Sequence, residues 1–442
     1  MKGPSPHRRT VWVSAAVAAM LAVPVSSGLA YAAPAPAPYA VAAAEGSART
    51  PSPSPSAAFP DLDASVAAKL DDAVRKVLKE TSVPGVTVGL WAPGKGSYVR
   101  SFGVADKTTG APMDSGLYTR IGSLTKTFTV TALLELVDEG KVGLDDPIGR
   151  YVSGVPNGDT ITLRRLAGMR SGLFNYSEDP DFYQALTSDP ERPFTPQELL
   201  DYSFKHPVLF PPGERFDYCN TNLILLGLVV EKAGGTTLGR YIQDHVLDPA
   251  GLDRTLFPVG AEFPSPHAHG YTDQTASGKV EDATDWNPSW GWAAGAMISD
   301  LEDLRSWAGT LATGTLLTPE TQAQRLDFEG TSDPGTGYGL GIFKSNGWIG
   351  HNGSLPGYEA VAVYLPEAQA TMVIVLNTDI LHDGAEPSTL FATAVTEIVT
   401  PGHVYALPSA TTQTTQGKES APPSATSPAP ADSPEPSGTP SP

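Results

Sequence analysis

Ile121-Gly-Ser-Leu-Thr-Lys-Thr-Phe128 sets a serine and a lysine three residues apart where a long helical pattern begins. Residues i and i+3 of a helix share a face, so Ser123 and Lys126 become neighbours if the helix starts near Ser123. A helix N-terminus adds free N–H groups and partial positive potential. Both favour a serine alkoxide and a lysine that has lost its proton. The bland alternative is a capping serine followed by a surface lysine. Ser123–Lys126 is the only Ser-x-x-Lys in the chain.

Two further stretches bear on the choice. In Glu214-Arg-Phe-Asp-Tyr-Cys-Asn-Thr221, Tyr218 and Asn220 lie two apart, so a locally extended backbone points both the same way. A tyrosine can relay a proton and an asparagine can hold an amide. Cys219 between them reads as a small buried spacer; as the chain's single cysteine it excludes an internal disulfide framework. In Trp348-Ile-Gly-His-Asn-Gly-Ser-Leu-Pro-Gly-Tyr358, His351-Asn352-Gly353 puts a glycine where a substrate can approach a strand edge. Lys141, Lys232 and His382 also precede a glycine by two, but the lysines sit at helix ends and His382 in a loop.

Outward from these motifs, the pattern predicts an α+β fold. Leu62 to Thr81 repeats at helical spacing. Gly85 to Trp91 alternates like a strand, Pro93-Gly94 turns, and Ser97 to Val104 reads as its hairpin partner. Glu359 to Leu365 and Thr371 to Leu376 form a second hairpin, and Ser388 to Val399 a closing helix. Helices over Thr127 to Glu139 and Leu223 to Ala233 lie between, each ended by glycine. Strands at both ends with helices in the middle predict an antiparallel sheet flanked by terminal helices, with a mostly helical region inserted. The folded domain is placed at 59–407, its sheet part at about 59–118 and 297–400 and its helical part at about 119–296.

The ends read differently. Lys2, Arg8 and Arg9, an apolar run from Val11 to Val23 and Ala30-Tyr31-Ala32 predict a signal peptide over residues 1–32. Residues 33–58 are an Ala/Pro-rich linker and residues 408–442 a Pro/Ser/Thr-rich tail, neither with apolar side chains to bury. The expected location is therefore secreted, in free or wall-associated form, with no membrane anchor after cleavage. The net charge is −19, from 48 acidic and 29 basic residues, with no basic cluster for phosphate contacts. Nucleic acid is not an expected partner, and a monomer is the expected state. There is no Gly-x-Ser-x-Gly elbow, and His267-Ala-His269 has no evident third ligand, so neither an α/β-hydrolase nor a metal or organic cofactor is expected.

In this order, Ser-x-x-Lys, Tyr-x-Asn and His-x-Gly resemble the penicillin-recognising serine hydrolases, the D,D-peptidases and class C β-lactamases. Leu136 to Asp146, Ile161-Thr-Leu-Arg-Arg165, Ser171-Gly-Leu173, Ala294 to Asp300 and Tyr338-Gly-Leu-Gly341 extend the likeness over about residues 62 to 400. The resemblance implies that Ser123 is acylated, that Lys126 or Tyr218 takes its proton, and that Tyr218 protonates the leaving amine. It further implies that Asn220 holds the substrate amide and that the N–H groups of Ser123 and Ser354 form an oxyanion hole. His351 would supply positive or hydrogen-bonding character near Tyr218 and the substrate carboxylate. Asn352, Gly353, Ser354, Trp290 and Phe182 would contact substrate. The function so implied is a D-alanyl-D-alanine carboxypeptidase acting on peptidoglycan peptides, with β-lactams as covalent inhibitors. A β-lactamase, a serine esterase and a D-amino-acid peptidase are alternatives, as is a binding protein that keeps the fold. Two departures bear on carboxylate recognition: Asn352 stands where threonine is commoner, and Phe343 where an arginine would serve, with Lys344 beside it as a possible substitute.

Overall fold

The computed structural model describes residues 59–331 and 335–407; the leader, linker and tail read from the sequence lie outside the described residues. The chain enters through helix α1 (Ala64–Thr81), capped by Asp63, whose carboxylate accepts from the N–H groups of Ser65 and Val66. Its buried stripe, Leu70, Val74 and Val77, has the spacing of one helical face.

Strands β1 (Gly85–Ala92) and β2 (Gly96–Gly103) form the first hairpin. The rest of the sheet comes from the far end of the chain: β3 (Glu329–Gly330), β4 (Thr336–Tyr338), β5 (Phe343–Ser345), β6 (Trp348–Leu355), β7 (Tyr358–Leu365) and β8 (Ala370–Leu376). The order is β2-β1-β8-β7-β6-β5-β4-β3, antiparallel throughout. The β1–β8 pair, with Val88 opposite Ile374, joins the two ends of the chain. Every residue of β1 and β8 is buried, so the alternation in the sequence does not mark a solvent face. Helices α1 and α5 (Pro387–Val399) pack on each other and α5 on the sheet, while α4 (Leu301–Thr313) packs over β7 and β8.

The inserted region is built around α2 (Thr125–Asp138), which is buried almost all round rather than along one stripe. Helix α3 (Asn220–Gly234) packs on it and on the Trp292–Gly295 turn. Gly227 permits that approach, since a Cβ there would lie 2.7 Å from the Ala293 Cβ. Trp307 of α4 stacks on Phe128 at 4.1 Å and donates its indole N–H to Thr127 Oγ1 at 2.8 Å, locking α2 against the sheet-covering helix.

Asn377, immediately after β8, stitches three segments. Its Oδ1 accepts from the Gly85 N–H at 2.7 Å, and its Nδ2 lies 2.9 Å from the His269 carbonyl and 3.2 Å from that of Val104. The residue is fully buried, so no water can replace it. Asn377→Ala is expected to lower unfolding stability by about 2–4 kcal/mol, read as a shifted urea midpoint at unchanged slope.

Candidate active site

Ser123 sits in a single 3₁₀ turn, Gly122–Leu124, and the α-helix proper starts at Thr125. The expectation of a helix beginning at Ser123 is off by two residues because the turn is pinned from outside. The Ile121 N–H donates to the Met297 carbonyl at 3.1 Å, and Arg120 pairs with Ile298 across a short two-stranded ladder. Gly122 has φ of +51°, and a Cβ on it would lie 2.8 Å from the Ser354 nitrogen. Facing it on β6, a Cβ on Gly353 would come within 2.0 Å of the Ile121 carbonyl and 2.8 Å of the Ser123 nitrogen. Two glycines thus let the turn and the strand touch backbone to backbone, bringing the N–H groups of Ser123 and Ser354 together. Glycine at 353 appears in the His-x-Gly pattern; Gly122 went unnoticed, and its only signal was its place before Ser123.

Lys126 is fully buried, its Nζ 2.8 Å from Ser123 Oγ and donating to the Ala294 carbonyl at 2.8 Å. The Ala293–Met297 segment is held for this role by neighbouring threonines: Thr129 Oγ1 donates to Ala293 O, and Thr125 Oγ1 accepts from the Met297 N–H. Burial pushes the Lys126 amine well below its ordinary range, opposed weakly by Cys219. The Ala294 carbonyl was visible in the sequence only as part of a family-like stretch.

Tyr218 presents its ring 4.9 Å from Lys126 Nζ. Burial raises its phenol above the ordinary range, and the nearby Ser123 hydroxyl opposes the rise. Cys219 is extended and buried, so Tyr218 and Asn220 both reach the cleft although Asn220 is already the first residue of α3. The Asn220 amide donates to Ser177 Oγ at 3.0 Å, and its backbone N–H to Asn175 Oδ1 at 3.1 Å. Asn175 and Ser177 were not expected from the sequence, since nothing in their spacing ties them to Asn220.

His351 lies inside β6 and is 1% exposed. Its Nδ1–H donates to the Asn352 carbonyl, which leaves Nε2 to accept from the Tyr338 hydroxyl at 3.0 Å. Burial, then the charge of Lys126, push its pKa down to about 3. The positive character considered for His351 is therefore corrected: it is a neutral acceptor whose direct partner is Tyr338, with the Tyr218 ring 6.3 Å away.

Other expectations are corrected too. Phe182 is 2% exposed and packs among Tyr176, Phe194, Tyr202 and Trp290, so it is core rather than cleft wall. Trp290 contributes its carbonyl to the Tyr176 hydroxyl at 2.6 Å and stands outside the cleft lining. Lys344 is no substitute for an arginine: strand alternation turns Phe343 into the cleft and sends Lys344 Nζ over the Phe328 ring at 5.1 Å. The cleft holds about 340 Å³. Ser123, Tyr218, Asn220, His351, Asn352, Gly353 and Ser354 line it, with Phe216, Tyr338 and Glu386 as walls that sequence reasoning missed and Phe343, singled out above for carboxylate recognition, as a further wall. Tyr338 had a signal, the Tyr-Gly-Leu-Gly stretch; Glu386 had none.

Since unfolding returns His351 to its ordinary range near 6.5, its contribution to stability falls as pH drops from about 6.5 towards 3, the unfolded chain taking up the proton first. Its ring carbons are expected to show no NMR titration between pH 8 and 4; a midpoint near 6.5 would overturn the neutral assignment. Gly353→Ala must force the turn off β6 and is expected to cost about 2 kcal/mol or more in urea unfolding.

Comparison with known proteins places this geometry in a family. The family described as Beta-lactamase matches residues 70–394. A D-stereospecific amidohydrolase from Streptomyces sp. is 29% identical with a TM-score of 0.65, over 71% of this chain and 94% of that one. A D-amino acid amidase from Ochrobactrum anthropi SV3 is 27% identical with a TM-score of 0.66, over 74% of this chain and 98% of that one. PbpX of Bacillus subtilis, whose name describes a penicillin-binding protein, is 24% identical over 63% of this chain and 66% of its own length. The chain spans between about a third and just under two thirds of the first curated relatives it matches. With a serine, a buried lysine and a tyrosine converging on one cleft beneath an antiparallel sheet, the chain belongs to the beta-lactamase family of serine hydrolases.

Proposed function

We propose that this protein hydrolyses an amide bond of D-configured amino-acid substrates through an acyl-enzyme on Ser123. The observation that carries the proposal is the Lys126 amine, buried without a carboxylate partner, 2.8 Å from Ser123 Oγ. An ammonium held this way is costly, so the neutral amine is favoured, and its lone pair accepts the serine proton. Ser123 Oγ then attacks the substrate carbonyl, and the oxyanion forms against the N–H groups of Ser123 and Ser354, each worth about 3 kcal/mol. The depressed amine and the raised phenol divide the labour: Lys126 is the base, and Tyr218 keeps its proton to pass to the leaving amine. Asn220 offers its side-chain amide to the substrate backbone. Lys126 then passes the serine's proton to Tyr218, restoring both groups, and water cleaves the ester, its hydroxyl going to the acyl carbon and its proton, by way of Lys126, to Ser123 Oγ.

The choice among substrates turns on the leaving group. A D-Ala-D-Ala carboxypeptidase must recognise a terminal carboxylate, yet no lysine or arginine is among the described residues lining the cleft. Similarity to a D-stereospecific amidohydrolase and a D-amino acid amidase supports an amide substrate instead. The carboxypeptidase, with peptidoglycan as substrate and β-lactams as acylating inhibitors, is the second reading, favoured by penicillin-binding relatives. Export to the cell exterior belongs to the same proposal under either reading.

Hydrolysis of D-alanine amide is expected to exceed that of a D-Ala-D-Ala peptide, a cephalosporin and a nitrophenyl ester in kcat/KM; a faster D-Ala-D-Ala peptide would favour the carboxypeptidase. Ser123→Ala should abolish turnover of all four. Lys126→Ala should lower kcat by roughly 10²–10⁴-fold, whereas an effect under about tenfold would remove Lys126 from the base role.

A further inference from the structure

The cleft wall opposite Asn220 carries a charge that the chemistry above does not use. Glu386 lines the cleft at the start of α5 and, among the described residues lining it, is the only one bearing a formal charge. Asn352, the middle residue of the His-x-Gly motif, turns its Nδ2 onto Glu386 Oε2 at 2.8 Å. The one amide donor at the position expected to meet a substrate carboxylate is thereby committed to a carboxylate of the protein.

The surroundings of Glu386 leave it without a compensating cation. Glu359, on β7 opposite Ser354, is fully buried beside it, and its Oε1 has no hydrogen-bond partner. Asp379, 3% exposed, adds a third carboxyl to the same region. The Tyr405 hydroxyl, also fully buried and unpartnered, lies near enough to feel the Glu386 charge. Burial first raises both glutamates above the ordinary carboxylate range; the Glu386 charge adds to the rise at Glu359, while at Glu386 the Asn352 amide opposes the rise and Asp379 adds to it. Of these groups only Glu386 lines the cleft, and a carboxyl there, held by the Asn352 amide and backed by further buried carboxyls, calls for a positive group with N–H donors.

We infer that Glu386, oriented by Asn352, recognises an ammonium group on the substrate, so that the enzyme selects amides carrying a free amine over neutral or anionic ones. This rests on the amidohydrolase reading and deepens it by naming the substrate charge. The ammonium donates to the Glu386 carboxylate, supplying the charge that the cleft wall lacks, while a terminal carboxylate at the same place is repelled. The amine can belong to the acyl half, as an unblocked α-amine, or to the leaving half; the contact chemistry is the same.

The test uses the full chain and three amides: D-alanine amide, N-acetyl-D-alanine amide, and N-acetyl-D-alanine 4-aminobutylamide. The first places the cation on the acyl half, the third on the leaving half, and the second has none. Affinities are measured by calorimetry on Ser123→Ala, and kcat/KM on the intact enzyme. A cationic amide, of either kind, is expected to be preferred by roughly 10–100-fold over the neutral one, the range of a charge-assisted contact. Glu386→Gln should collapse that ratio to about one, and Glu386→Asp should retain part of it. Equal affinity of Ser123→Ala for all three would overturn the inference even if the glutamine variant failed to fold. Active enzyme with equal kcat/KM for the three sinks the ammonium site alone. Absence of turnover with a preserved binding preference sinks the amidohydrolase reading and leaves the site standing.

Discussion

The contact between the Gly122–Leu124 turn and strand β6 is the constraint on which the cleft depends. It is made of backbone alone. A Cβ on Gly122 would meet the Ser354 nitrogen, and one on Gly353 the Ile121 carbonyl and the Ser123 nitrogen. Any side chain at either place would separate the two N–H groups that converge there, because strand and turn approach closer than a methyl group allows. The turn belongs to the helical region and the strand to the sheet, so this one contact also registers the two halves of the domain on each other. The surrounding ties, from Ile121 to Met297 and from Thr125 to Met297, hold the turn in that register.

Electrostatics in the cleft follow from burial more than from pairing. Lys126 and His351 both lose affinity for protons because no carboxylate offsets their removal from water. Tyr218 and Tyr338 hold theirs more tightly for the same reason. A lysine amine that is free to accept and a phenol that is free to donate result from one low-dielectric environment acting on a group charged when protonated and a group charged when deprotonated. Glu386 on the cleft wall, with Glu359 buried behind it, is the counterpart, where carboxyls crowd with no cation among the described lining residues.

The parts of this architecture legible in the sequence were those with local causes. Periodicity found α1, α2 and both hairpins to within a few residues, because amphipathic spacing and glycine stops act over a handful of positions. The three motifs placed Ser123, Lys126, Tyr218, Asn220 and His351 on one list by likeness to a family. What escaped was what depends on long-range packing. Phe182 was placed at the cleft only by likeness to a family, and its enclosure by Tyr176, Phe194, Tyr202 and Trp290 shows it to be core. Glu386 carries no motif, and it reaches the cleft because β8 and the following loop return the chain to Asn352.

The amino-acid sequence by itself determined the α+β plan, the family likeness and the candidate residues of its three motifs, since spacing and residue type carry that information locally. It left open how His351 is partnered, what Asn352 faces and how deeply Lys126 and Tyr218 are buried. Tertiary structure decided these, because a pKa and a hydrogen-bond partner are properties of a surrounding volume. That volume is assembled here from segments more than 200 residues apart, joined where β6 meets the Gly122–Leu124 turn.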